Sequence, residues 1–203
     1  MSARNERLRW QLVTGLLRQF HLERMAARFN PRLVLAAFGF VNGGISIALI
    51  AAVALITQEA FIFPSLGATA FILFYIPMTD LAAPRNVLCA HLLGALAGWC
   101  SLTLFGLQEA PSALFGGVDW ARVAAASLSL ALTSFTMIAF RVVHPPAGAT
   151  ALIVSLGLMP QLGQIPVLLS GVLLLLCQAF VINRLAGIRY PVWRHPAQRP
   201  AEP

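Results

Sequence analysis

The string PSLGATA at 64–70 returns 81 positions later as PPAGATA at 145–151, and each copy interrupts a long apolar run. In an apolar environment a Pro/Gly break frees backbone groups that no water can satisfy. It is tolerated only where protein or a polar cavity takes those groups over. Two such breaks at matching places point to an internally repeated membrane protein with a working site built from broken helices. The composition agrees. Of 203 residues 59% are hydrophobic, the mean hydropathy is +0.79, and only 10% are charged, against about a quarter in soluble domains.

The apolar residues fall into six blocks, at 33–57, 59–78, 87–107, 120–140, 142–158 and 165–183, the second and fifth being the broken ones. All 14 basic side chains are Arg; seven precede Leu33, and Arg184, Arg189, Arg194 and Arg199 follow the last block. The positive-inside rule then places both termini in the cytoplasm and requires an even number of crossings. With six, the joints at Arg85 and Arg141 fall inside, while the 108–119 and 159–164 joints, which lack basic residues, fall outside. The expected fold is an all-α membrane protein of six transmembrane segments, arranged as two inverted three-segment repeats at 33–107 and 120–183. A loop at 108–119 lies outside, and the expected location is a cell inner membrane. A four-crossing chain, with the broken segments as re-entrant hairpins, is the alternative.

The net charge of +7 is a topology signal, because the Arg residues flank spans and form no aromatic-basic surface of the kind that reads nucleic acid. In the segment 1–32, Leu8, Leu12, Leu16 and Phe20 share one helical face opposite Arg4, Arg7 and Arg18. That pattern predicts a cytoplasmic amphipathic helix on the lipid headgroups, or else a partner-binding helix. The segment 184–203, rich in Pro beyond Arg189, predicts a disordered cytoplasmic tail. Cys89, Cys100 and Cys177 lie in apolar spans at unrelated spacings, which reads as buried free thiols rather than a metal or disulfide framework. No cofactor is implied.

If Pro64 and Pro146 each open a helix, as suits a residue without an N–H, helices at 64–79 and 146–158 are about 24 and 20 Å long, short of a core about 30 Å thick. Both would start within the bilayer, from opposite faces, and helix N-termini favour anions. The candidate site is therefore Pro64, Ser65, Leu66, Gly67, Ala68 and Thr69 in one copy and His144, Pro145, Pro146, Ala147, Gly148, Ala149 and Thr150 in the other. Main-chain amides near the two glycines, with the Ser65, Thr69 and Thr150 hydroxyls, are the expected donors. Small residues also permit close helix packing, and Thr can bond its own helix, so a packing role competes. Arg141 is expected to join the site and with His144 to attract the anion, because ionisable groups near a bilayer are expensive and usually functional. A positive-inside flank explains Arg141 equally well. Arg85 and Asn86 are candidates for a gate, and His91 for a second layer, although a packing role suits His91 better.

The strings RVVHPPAGATALI, FPSLGATAFILF and LAAPRNVLCAHLLGALAG, spread over residues 32–183, resemble the HPP family of membrane proteins. Members in photosynthetic organisms act as nitrite transporters, so the resemblance implies a small inorganic anion such as nitrite or nitrate. Family members are often described with four spans rather than six. The leading expectation is a permease or channel for such an anion, working as a homo-oligomer and not an enzyme. A non-transporting membrane or regulatory subunit is the alternative. A membrane enzyme is a weaker one, since only Glu59 and Asp80 lie near the spans.

Overall fold

The computed structural model describes residues 21–59 and 61–194; the expected amphipathic face from Leu8 to Phe20 lies outside them. Every regular element among the described residues is helical. A short helix α1 (Leu22–Arg28) is followed by α2 (Pro31–Thr57), whose first turn is set by Pro31 and by the Asn30 side chain accepting from the Arg32 and Leu33 amides. Next come α3 (Pro64–Tyr75), a 3₁₀ turn (Asp80–Ala82), α4 (Pro84–Leu104), the four-residue α5 (Ala113–Gly116), α6 (Trp120–Ala139), α7 (Pro146–Ser155) and α8 (Gln164–Leu185). Helices α2, α4, α6 and α8 are each long and apolar enough to cross a membrane. Their outer faces carry large apolar groups in the open, Phe40 at 84% and Ile56 at 81% exposure among them, which suits a lipid surround.

The expectation for the two broken segments needs correction in length. Pro64 and Pro146 do open their helices, but α3 has 12 residues and α7 has 10, about 18 and 15 Å. Neither reaches across the membrane as a helix. Pro77 stops α3, because the residue before a proline is disfavoured in the helical region and Ile76 has already left it, at φ −130° and ψ 52°. Gly157 stops α7. It takes the left-handed φ of 78°, and the Leu158 amide donates back to the Ile153 carbonyl, a standard glycine ending.

Both short helices begin deep in the bundle. The Phe61 carbonyl, just before α3, lies 3.2 Å from where a side chain on Gly171 would start, and Gly171 is the eighth of 22 residues in α8. The Ala147 carbonyl in the first turn of α7 presses on Gly94, where a Cβ would stand 2.5 Å away, at the middle of α4. Gly98 meets the Ala151 carbonyl in the same way, at 2.6 Å, so glycine on α4 is what lets α7 come this close. The main apolar core gathers Ile50 of α2, Leu66, Leu73 and Phe74 of α3, Val154 of α7, and Leu168, Val172 and Leu175 of α8.

Two further expectations change. Cys100 and Cys177 are exposed on the flanks of the bundle and only Cys89 is partly buried, because in lipid the apolar thiol has no reason to turn inward. The start of the expected disordered tail is ordered. Tyr190 is fully buried and its hydroxyl donates to the Ala82 carbonyl at 2.6 Å, and the Arg85 amide donates to the Trp193 carbonyl. Burial pushes the Tyr190 phenol above its usual range, which keeps it a donor.

Candidate functional site

Ser65 and Thr69 are four apart on α3, so they sit one above the other on one face. That face turns inward, and Thr150 of α7 approaches it from the other copy. Five side chains meet there, those of Ser65, Thr69, His91, His144 and Thr150, each at most 1% exposed. Thr69 Oγ1 lies 2.9 Å from His144 Nε2 and 3.0 Å from His91 Nε2, and 2.9 Å from the Ser65 carbonyl of its own helix. Thr150 Oγ1 lies 2.7 Å from His91 Nδ1 and 3.0 Å from Ser65 Oγ. The last contact is His144 Nδ1, 2.7 Å from the Leu81 carbonyl. The two imidazole rings are tilted at 55° with centroids 5.2 Å apart.

Each imidazole nitrogen thus has a polar neighbour, and one tautomer is fixed. A carbonyl oxygen only accepts, so His144 Nδ1 carries a hydrogen and donates to Leu81. A network of hydroxyls and imidazoles can donate or accept at almost every atom. It suits a small polar guest and the passage of protons.

The remaining candidates divide clearly. Leu66 is buried in the apolar core. Pro146, Ala147 and Gly148 are buried, whereas Pro64, Gly67, Ala68, Arg141, Pro145 and Ala149 are exposed. The main-chain donors are fewer than the sequence suggests. Pro64, Pro145 and Pro146 have no N–H, the Leu66 amide closes onto the Phe63 carbonyl, and those of Ala147 and Gly148 close onto His144 and Pro145. Tight turns at the helix starts consume these amides, leaving hydroxyls and imidazoles as the principal polar groups.

Arg141 stands outside the cluster. It follows α6 in a left-handed conformation, φ 53°, with the Val142 amide bonded back to the Met137 carbonyl. Its own carbonyl and that of Phe140 accept from the Arg85 guanidinium. Arg85 therefore ties the end of α6 to the start of α4. Asn86 ties the same region to the 3₁₀ turn, its amide donating to the Asp80 carbonyl at 2.9 Å. Three consecutive carbonyls of that turn, those of Asp80, Leu81 and Ala82, are thus held by Asn86, His144 and Tyr190.

Sequence reasoning passed over Arg122, which is 3% exposed. Its guanidinium donates to the Ser155 carbonyl at 3.2 Å and the Pro111 carbonyl at 2.9 Å, capping the end of α7 with positive charge where the helix dipole favours it. Its place two residues into a span, beside Asp119, looks like an ordinary flank. Nothing local in the sequence marks it as buried.

A family model described as HPP, transmembrane region, matches residues 28–191. A transmembrane protein of Dictyostelium discoideum is 34% identical over 146 residues, covering 69% of this chain and 47% of the relative. A second transmembrane protein of that organism is 30% identical over 142 residues, covering 67% and 42%. The chain spans less than half the length of these curated relatives. No solved structure matches it.

Proposed function

This chain belongs to the HPP transmembrane family, and on that premise we propose that it is a permease or channel for a small inorganic anion of the nitrite or nitrate kind. The observation that carries this reading is the convergence of both PxxGATA copies on one buried pair of imidazoles. Polar groups gathered in the interior of an apolar bundle are expensive and mark pathways. The hydroxyls of Ser65, Thr69 and Thr150 and the rings of His91 and His144 are the polar groups that would turn to the anion as it replaces their contacts with one another. Helix N-terminal charge adds to them. The amides of Leu66, Ala147 and Gly148 stay in their turns and position the side chains.

We read the two copies as halves of an inverted repeat. The shared middle depth at which α3 and α7 begin supports that plan, and so do the long helices that precede and follow each of them. The Arg-rich ends support termini on the cytoplasmic side of a cell inner membrane. On that orientation the 3₁₀ turn, Arg85 and Asn86 form the inner gate, and Arg141 draws anions to its mouth. The apolar exposed faces of the bundle would meet lipid and other copies in a homo-oligomer. The chain acts as a carrier of solute rather than as an enzyme.

Purified protein in sealed liposomes should take up nitrite and nitrate faster than empty vesicles. Absence of any flux of either anion from protein shown to be folded would overturn the proposal.

A further inference from the structure

The buried cluster contains one proton fewer than its geometry accommodates. Six contacts lie at hydrogen-bond distance. They are Thr69 Oγ1 to the Ser65 carbonyl, to His91 Nε2 and to His144 Nε2; Thr150 Oγ1 to His91 Nδ1 and to Ser65 Oγ; and His144 Nδ1 to the Leu81 carbonyl. Filled as six two-centre hydrogen bonds, with no hydrogen shared between acceptors, they take six hydrogens. With both histidines neutral the cluster supplies five, one from each of three hydroxyls and one from each of two rings. The conflict sits on Thr69. Its single hydrogen is wanted by the Ser65 carbonyl, which can only accept, and by His144 Nε2, which has no hydrogen because Leu81 has claimed the one on Nδ1.

Only one placement of a sixth proton completes the set. On His144 Nε2 it lets that ring donate to both Thr69 and Leu81. Thr69 then donates to the Ser65 carbonyl and accepts from His91 Nε2, Thr150 donates to His91 Nδ1, and Ser65 Oγ donates to Thr150. A sixth proton on His91 leaves the Thr69 conflict in place. The heavy atoms need not move in either state.

A buried imidazolium without a counter-charge is strongly disfavoured, and so is a bare buried anion. Together they are neutral, and the binding of each strengthens the binding of the other by the same factor. The charged side chains of the surrounding elements make no contact within the cluster; the buried Arg122 is engaged with the Ser155 and Pro111 carbonyls. Asp80 and Arg141 are exposed, Arg85 is engaged with the carbonyls after α6, and Tyr190 with Ala82. None supplies the missing charge.

Resting on the permease reading, we infer that the cluster carries one proton with each anion, bound at His144 Nε2, so that transport is electroneutral. The proton leaves a hydronium ion at one face, forms an N–H bond on the ring nitrogen, and returns to water at the other face as the anion departs. No electrons change hands.

The test uses the full chain in liposomes with an entrapped pH indicator and an inward nitrate gradient. Nitric acid is strong, so no neutral acid crosses the lipid to mimic coupling. The expected result is acidification of the lumen by one proton per nitrate, at a rate that changes little when a potassium ionophore sets the membrane potential. Nitrate entry without acidification, or entry driven by the potential, overturns the inference and leaves the permease standing. No nitrate entry at all, with folded protein, overturns the permease and the coupling with it. In the His144→Asn variant the amide keeps a donor for Leu81 but has no basic nitrogen, so acidification driven by the nitrate gradient should be lost whether nitrate entry persists or falls. Coupling at the unmodified ratio in that variant would also overturn the inference. If the variant does not fold, the stoichiometry of the unmodified protein decides.

Discussion

The two PxxGATA copies have nearly the same residues and do different work. In the first, the helix starts at Pro64 from an extended Phe63, drives Leu66 into the apolar core, and offers the cluster two hydroxyls and a carbonyl. In the second, proline stands where Ser65 stands in the first and histidine where Phe63 stands, so this copy offers one imidazole and one hydroxyl. Its helix is pressed against the glycines of α4, while Gly67 of the first copy faces open space. Two hydroxyl-rich halves would leave His91 as the one imidazole in the cluster, and two histidine-bearing halves would set like groups against each other. The divergence at two positions turns a repetition into complementary parts.

Making the copies alike should do the most damage. His144→Phe copies residue 63 into the second half, leaves the Leu81 carbonyl and Thr69 without their partner, and should lower anion flux about 100-fold, the equivalent of about 3 kcal/mol for stranded buried polar groups. Flux within a factor of two of the unmodified protein would remove His144 from the pathway. Gly94→Ala tests the packing of the second half. Its methyl meets the Ala147 carbonyl at 2.5 Å and should cost about 1–3 kcal/mol, read as a lower midpoint of thermal unfolding in detergent. Gly67→Ala, with nothing within 4 Å, should instead hold or raise that midpoint by the helix propensity, about 0.5–1 kcal/mol.

The threonines sharpen the contrast. Thr69→Val removes a hydroxyl with three partners and Thr150→Val one with two, so the first should be the more destabilising, by about 1 kcal/mol. Equal losses would mean the cluster is symmetric in energy if not in shape. Arg141→Gly should also stabilise, by about 1 kcal/mol, from relieving a left-handed conformation. A simultaneous fall in flux would show that the guanidinium, and not only the turn, serves the anion.

The breaks themselves were legible because proline and glycine constrain the backbone wherever they sit, and a repeat doubles the signal. Pro64 and Pro146 open helices as their spacing implies. The ends of those helices were less legible. Ile76 and Ser155 are apolar or neutral residues in apolar runs, and only Pro77 and Gly157 downstream decide where the helix stops. His91 was read more readily as a packing residue, since its partners Thr69 and Thr150 lie 22 and 59 positions away and no local pattern joins them. Arg122 was hidden for the same reason: its partners Pro111 and Ser155 straddle it, and a single Arg at the start of a span resembles a flank. The ordered stretch around Tyr190 defeated a compositional argument, because one buried aromatic hydroxyl outweighed the surrounding prolines.

The 3₁₀ turn at Asp80–Ala82 has a consequence in time as well as in space. Its fastenings come from residues 6, 63 and 108 positions further along the chain. A polypeptide still emerging from the ribosome can set the first almost at once and the second only after α6 has been made. The third must wait for Tyr190. The turn is therefore sealed only after both copies of the motif have been made.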